Sequence, residues 1–342
     1  MSYRACDNLN TSICFNGDGI GITYCTLTNA SNGLGWPKIS DNVFDGKVID
    51  WDKFFDERAK EIEAIKNSTE NESCKNCHRI EQLEFNDDRK IRYILLSPWQ
   101  ICNSDCVYCL GHEKPLNPNN VDYEEKYRQL VEPYDIVTIL KDMIAKNVLA
   151  EDVEIDFAGG EPTLYPRFDE IMDLLLDNNC RNIIIHTNNI QYSKAIEKGI
   201  KLNAVSLMIS IDAGTKKCHE KIKRVKSFDK VWKNFKNYSK VKPNDYRMKL
   251  CTKYVIVPEI NDSEKEIKEF IKKSKKQGAT HVAINVYNQL LNNMDYDKEQ
   301  LKHLYSLGEF FKSYARKEKI FYISFPNIEL VYSKFNKNFY HD

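Results

Sequence analysis

From about residue 90 onward, the apolar positions alternate between two periods. The stretch RKIRYILLS (89–97) is a continuous apolar run with β-branched content, as a buried strand requires. Ile136, Ile139, Leu140, Met143 and Ile144 then recur at helical spacing. VEIDFAG (153–159) reads as a strand ending on glycine, and Phe168, Ile171, Met172 and Leu175 mark the next helix. Further strands are expected at NIIIHT (182–187), LNAVSLMISID (202–212), LCTKYVIVP (250–258) and HVAINVY (281–287). Ser227 is placed to cap a helix carrying Phe228, Val231, Trp232 and Phe235. Ser263 and Glu266 form a capping box, and Gly278 closes that helix. The result is six strands, each but the last followed by a helix. Repeated βα units imply parallel strands covered by helices, an α/β class whose functional loops sit at the C-terminal strand ends.

The flanks read differently. ICFNGDGIGITYC (13–25) predicts a hairpin turning at Asn16-Gly17-Asp18-Gly19, which makes Cys14 and Cys25 neighbours. Trp51, Phe54, Phe55, Ile62 and Ile65 give a helix near 51–65 an apolar face. The tail, 297–342, predicts an amphipathic helix, a strand from Ile320 to Phe325 and a terminal segment. The expected organisation is a small cysteine-rich α+β module at 1–88, a core at 89–295 and a helix–strand extension at 296–342.

Composition agrees with a folded, water-exposed chain. Hydrophobic residues are 42% and aromatics 11% of 342 residues, enough for a sizeable core. Lys plus Arg and Asp plus Glu each total 50, so net charge gives no reason to expect nucleic-acid or membrane partners. One stretch departs: residues 216–242 hold eleven Lys or Arg and two acids. This is either a solvated helix face or a patch attracting an anionic substrate. No apolar run approaches a membrane span, and MSYRACDNLN lacks signal-peptide order, so a cytoplasmic location is expected.

Eleven cysteines change the picture. Reducing compartments disfavour structural disulfides, so clustered cysteines point to metal or redox chemistry. CNSDCVYC presents Cys102, Cys106 and Cys109 from one loop, four and three residues apart. Iron–sulfur clusters normally take four thiolates; three leave one iron open to a substrate or cofactor. A zinc knuckle or three ordinary cysteines would share this spacing. Some 50 residues on, GGEP supplies two glycines that admit a ligand close to backbone, and Glu161 offers a carboxylate to an ammonium group.

Together these motifs resemble the radical S-adenosylmethionine (SAM) superfamily over residues 90 to about 290. The resemblance implies a partial (β/α)6 TIM barrel. It implies that Cys102, Cys106 and Cys109 hold a 4Fe–4S cluster, with Tyr108 against adenine. Gly159, Gly160 and Glu161 match the loop that binds the SAM amino group. Thr187 and Asn188 match a Thr-Asn-Gly segment in which Asn189 replaces glycine, a mild departure because Asn tolerates positive φ. SIDAGT (210–215) resembles the ribose-binding strand end, implicating Ser210 and Asp212; Arg224 is the choice for the SAM carboxylate, with Lys223 adjacent. The implied chemistry is reductive cleavage of SAM to a 5′-deoxyadenosyl radical that takes hydrogen from a substrate carbon, with an oxygen-sensitive cluster and a flavodoxin- or ferredoxin-type electron donor. An iron–sulfur electron carrier that leaves SAM intact is the alternative.

Cys14, Cys25, Cys74 and Cys77, with Cys6 as a spare, resemble an auxiliary-cluster module of the SPASM or twitch type, here preceding the core rather than following it. That implies a second 4Fe–4S cluster; a closed tetrahedral zinc site uses the same residues. His78 is read as an exposed loop histidine, and His186 and His281 as structural. Cys218, beside the expected SAM site, is a candidate hydrogen-atom donor, whereas Cys180 and Cys251 read as core residues. The segment 112–129 after the cysteine loop is placed to touch substrate. The substrate is a small molecule, a sugar or a peptide. No leader-binding winged-helix pattern is visible, which tilts the expectation toward the first two.

Overall fold

A computed structural model describes residues 3–17, 21–25, 38–70, 74, 80–83, 88–99, 101–109, 134–287, 298–326, 328–329 and 331–333. The chain divides into two compact units, Met1–Ile101 with Leu116–Ile185 and Cys102–Pro115 with His186–Asp342.

In the first unit, β1 (Tyr3–Cys6), α1 (Asp7–Thr11), β2 (Ser12–Asn16) and β3 (Gly21–Thr23) precede α2 (Trp51–Lys66) and β4 (Ile80–Leu83). Then come β5 (Ile91–Ser97), α3 (Ile136–Ala145), β6 (Leu149–Phe157), α4 (Phe168–Asp177) and β7 (Asn182–Thr187). Strands β2, β5, β6 and β7 lie parallel in that order. The β2–β3 pair is the predicted hairpin, with Cys14 opposite Thr23. Strands β2 and β3 of the expected N-terminal module pair into the sheet of the βα series, whereas β1 and β4 pair with each other. Helix α2 starts where Asp50 accepts from the Lys53 amide and buries Trp51, Phe54, Phe55, Ile62 and Ile65, the face read from the sequence. On β6, Val153, Ile155 and Phe157 are buried and Glu154 and Asp156 alternate with them, the period of a strand.

In the second unit, α5 (Lys194–Lys201), β8 (Val205–Ser210), α6 (Lys216–Lys223), α7 (Phe228–Val241), β9 (Leu250–Ile256), α8 (Glu264–Gln277), β10 (His281–Val286), α9 (Lys298–Lys317) and β11 (Phe321–Ser324) follow. Strands β8 to β11 pair side by side in parallel. The core between β9 and the helices packs the tilted rings of Tyr254, Phe270 and Phe311 together.

All six expected strands are present, and each expected helix. Two capping details differ. Ser227 occupies the N-cap position of α7 without a side-chain cap bond. Its hydroxyl instead lies 3.0 Å from His219 Nε2. Ser263 does cap α8, accepting from the Glu266 amide. The Glu266 carboxylate, however, turns away from the box and accepts from Gly214 N, Thr215 N and Thr215 Oγ1 at 2.9, 3.0 and 2.7 Å. A charge that a local motif would use at its own helix is thus spent on the start of α6, whose free amides attract it. Gly278 ends α8 at φ 98, as expected.

Candidate active site

Residues 102–109 have no helix or strand, so other groups must fix them. Asp105 N donates to Lys223 O at 3.1 Å and Val107 N to Ile222 O at 2.9 Å. These acceptors are carbonyls that the end of α6 leaves without helical partners. Arg224 ends α6 in the left-handed region at φ 55. Cys109 N donates to Cys106 O at 3.0 Å, which curls the loop. Asn188 Nδ2 donates to Asn103 Oδ1 at 2.6 Å and reaches Cys102 Sγ at 3.5 Å. None of the three cysteines is in a disulfide; Cys102 and Cys106 are half-buried and Cys109 is exposed.

Beneath the loop lies a buried ionic network. Tyr108 Oη donates to Asp212 Oδ2 at 2.5 Å. Lys223 Nζ donates to the same oxygen at 2.5 Å and to Tyr108 Oη at 2.7 Å. The Asp212 and Lys223 side chains are 0% and 2% exposed. The second Asp212 oxygen accepts from Val255 N at 2.9 Å. Asp212 takes φ 60, and Asn261 Nδ2 donates to its carbonyl at 2.7 Å. Asn261 also accepts from Val257 N at 2.7 Å and donates to Val255 O at 2.8 Å, tying β9 to the site. A buried ion pair survives only when its remaining lone pairs are satisfied, and here both Asp212 oxygens are. Burial and then Asp212 drive the Tyr108 phenol well above its ordinary pKa. Burial opposes the Lys223 ammonium, but Asp212 and Cys106 outweigh it, and its pKa is raised. Burial and then Cys106 push the Cys109 thiol up to about 11, with Lys223 pulling the other way.

In the first unit, Gly159 follows β6 at φ 92. A Cβ there would stand 2.7 Å from both Ser97 Oγ and Trp99 O, so only glycine fits. Gly160 N donates to Trp99 O at 3.0 Å and Glu161 N to Ile101 O at 2.7 Å, which sets the loop. Glu161 is buried and accepts from Thr163 Oγ1 at 2.7 Å.

The remaining expected residues fall as follows. Thr187 Oγ1 accepts from Asn189 N at 2.8 Å, and Asn188 Oδ1 from Ile190 N at 2.9 Å. Asn189 adopts φ 60, the glycine-like conformation read from the sequence, and donates to Val231 O at 2.9 Å. Ser210 ends β8, half-buried. Arg224 is 57% exposed and pairs with Asp105 at 3.3 Å, so the cation beside Tyr108 and Asp212 is Lys223. The spacing of His219, Ile222 and Lys223 on one helical face was the available signal for it. Asn261 had no such signal. Cys218 donates its thiol to Ile260 O at 3.1 Å and is half-buried; burial raises its pKa.

Of the N-terminal set, Cys14 and Cys25 are 0% and 8% exposed. Burial and then Cys25 push the Cys14 thiol far above its ordinary pKa. Cys74 is half-buried in a turn, and β1–β4 pairing puts Cys6 opposite Ile80. Cys77, His78 and the segment 112–129 lie outside the described residues. Among the described residues, no three Cys, His, Asp or Glu side chains are already gathered as a metal-holding group, and no helix is long and apolar enough to cross a membrane. The cysteine loop nonetheless fits an iron–sulfur group in donor chemistry: three thiols outside any disulfide, half-buried to exposed, on a pinned segment.

Comparison with known proteins agrees. The model of the radical SAM superfamily matches residues 96–271, half of the chain. The protein belongs to that superfamily and is an enzyme of it. A GTP 3′,8-cyclase of Clostridium botulinum is 28% identical over 55% of this chain and 54% of the relative. A UPF0026 protein of Helicobacter pylori is 23% identical over 50% of this chain and 54% of the relative. The chain thus spans about half the length of the relatives it matches. Streptococcus suis SuiB bound to S-adenosylmethionine superposes with TM-score 0.50 at 15% identity, covering 82% of this chain and 62% of SuiB. The same protein bound to precursor peptide SuiA gives TM-score 0.51 at 14% identity, covering 82% of this chain and 64% of SuiB. The α/β fold is that of these enzymes, and the six βα strands of a partial TIM barrel are all in place.

Proposed function

We propose that Cys102, Cys106 and Cys109 ligate a 4Fe–4S cluster with one iron left for SAM. Gly159 and Gly160 bring backbone to the ligand and Glu161 faces its ammonium. Thr187, Asn188, Ser210 and Asp212 orient the rest, with Tyr108 against adenine. When bound, cluster and SAM supply reductive cleavage to a 5′-deoxyadenosyl radical that abstracts hydrogen from a substrate carbon. The chain's own part is to hold the thiols, orient SAM and exclude water.

The observation that carries this reading is the pinning of a three-thiol loop by α6 and Asn188, with its thiols still accessible. The substrate is a peptide or a sugar-type small molecule; the peptide bound by SuiB favours the first. Electrons come from a flavodoxin- or ferredoxin-type donor in the cytoplasm. Cys14, Cys25, Cys74 and Cys77 hold a second 4Fe–4S cluster in a module spanning 1–88, ahead of a core at 89–295 and an extension at 296–342. Cys218 is the candidate hydrogen donor to a product radical.

Anaerobic reconstitution followed by SAM and dithionite tests the core claim. 5′-Deoxyadenosine should form with the native chain and vanish with Cys106→Ala. A cluster without 5′-deoxyadenosine would make the protein an iron–sulfur carrier. Zinc with no iron remaining in Cys106→Ala would replace the second cluster by a closed zinc site.

A further inference from the structure

Strand β9 turns Thr252 and Tyr254 toward the helices. Thr252 Oγ1 donates to Ser274 Oγ of α8 at 2.8 Å, and Tyr254 packs on Phe270 of α8 and Phe311 of α9. Lys253 lies between them in the strand, so it faces the other side of the sheet, away from α8 and α9. There it stands between Ser210 of β8 and Ala283 of β10, and Ala283 in turn lies beside Ile323 of β11. Ala283 presents only a methyl group, so the lysine chain can cross β10. Its Nζ comes to rest over the Phe325 ring, 5.5 Å from the centre. Asn285 is two residues beyond Ala283 on β10, opposite Val255, and shares this face.

Neither polar group is satisfied by the fold. Among the described residues, Lys253 Nζ has the Phe325 ring but no hydrogen bond or ion pair. Asn285 Oδ1 is buried without a hydrogen-bond partner among the described residues. Burial holds the Lys253 pKa below its ordinary value, with Asp212 opposing. A desolvated ammonium and a buried amide oxygen left in this state cost folding free energy. A ligand that brings the missing acceptor and donor would offset that cost. Further along β9, Val255 and Val257 pack with Ile222, Tyr108 and Tyr287. The polar pair therefore begins where an apolar wall ends, the usual make-up of a small-molecule site.

We propose that Lys253 and Asn285 form a substrate subsite for a carboxylate flanked by an N–H or O–H donor. The ammonium takes the carboxylate, and Asn285 Oδ1 accepts from the neighbouring donor. A single cation beside an amide acceptor suits such a monoanion better than a phosphate dianion, which calls for more positive charge. The inference rests on the reading of Ser210 and its neighbours as the SAM site. It narrows the substrate to an acid: the C-terminal residue of a peptide or a sugar acid.

The test is a calorimetric titration of the reconstituted full chain without SAM or dithionite, so a failure of SAM cleavage is read separately and does not blur the result. The probes are N-acetylglycine for the peptide source, glucuronate for the sugar acid, their neutral counterparts N-acetylglycinamide and glucose, and inorganic phosphate. One of the two acids should bind and its neutral counterpart should not; which acid binds decides the source. Lys253→Met should weaken that acid by about tenfold or more, and Lys253→Arg should stay within about threefold of native. Lys253→Met should also melt at or above the native temperature, since it removes a charge that lacks an acceptor. Asn285→Asp keeps the lysine but hands it a carboxylate, and should abolish acid binding by itself, whether or not Lys253→Met folds. Binding of neither acid, binding of phosphate alone, or unchanged acid binding in Asn285→Asp overturns the proposal. So does a Lys253→Met that melts below native as it loses the acid, which marks a structural role. Loss of SAM affinity in Lys253→Met equal to its loss of acid would assign the lysine to SAM instead, and also overturns it.

Discussion

Cysteines sit in two unlike settings in this chain. Those of the 102–109 loop lie on backbone without regular structure, half-buried to exposed, with a lysine ammonium acting on them. Cys14 and Cys25 lie in or beside a hairpin, almost wholly buried, and act on each other's charge. The first setting keeps the thiols reachable by a ligand, although burial and the neighbouring Cys106 raise the cost of ionising Cys109 and Lys223 offsets part of it. The second favours a closed shell in which every donor is used inward, or plain thiols. The same side chain thus serves open or closed chemistry according to what surrounds it.

The largest test of that contrast removes one thiol from each setting. Cys106→Ala should cut 5′-deoxyadenosine formation by roughly a thousandfold or more, about 4 kcal/mol of barrier. Cys25→Ala should remove about four irons per chain yet leave SAM cleavage within about tenfold of native, as metal analysis beside product chromatography will read. Equal damage from both would erase the distinction. Next comes the support of the open site. Asn261→Ala leaves Val257 N and two carbonyls without their partner and should lower stability by about 3 kcal/mol in denaturant titration. Gly159→Ala forces a Cβ against Trp99 O at positive φ and should cost roughly 1–3 kcal/mol, with weaker SAM binding by calorimetry.

The smallest effect is one of pH. His219 is buried between Ile211 O and Ser227 Oγ, and burial holds its pKa below the ordinary 6.5. Its neutral form is the folded one, so the stability it contributes is full above about pH 6.5 and is lost as pH falls through its lowered value. Melting of the metal-free chain between pH 7.5 and 5.5 should show a slope that His219→Gln flattens. A slope unchanged by that substitution would place the pH response elsewhere.

Much of this was legible in the sequence. NIIIHT gave the strand Asn182–Thr187 to the residue, because its turn signals flank it closely on both sides. Asn189 was legible as a glycine substitute because positive φ leaves few residue types. What escaped has a common cause: it depends on partners distant in the chain. Ser227 carries a capping signature, but His219 takes its hydroxyl. Glu266 completes a box on paper, but α6 takes its carboxylate. Arg224 and Lys223 differ by one helical step, and only tertiary packing decides which is buried. The parallel pairing of β2 with β5 joins residues some eighty positions apart, which no local pattern records.

The carboxylate of Glu266 on the start of α6 has a consequence for transplantation. Gly214, at that junction, has Phe270 N within 2.8 Å of where a Cβ would stand, so α6 and α8 meet at contact distance. The cysteine loop hangs from the far end of α6, and Asp212 from the strand end before it. Grafting residues 102–109 onto another scaffold would therefore carry the ligands without their mounting. The smallest portable part is the loop together with α6, the end of β9 and the first turn of α8.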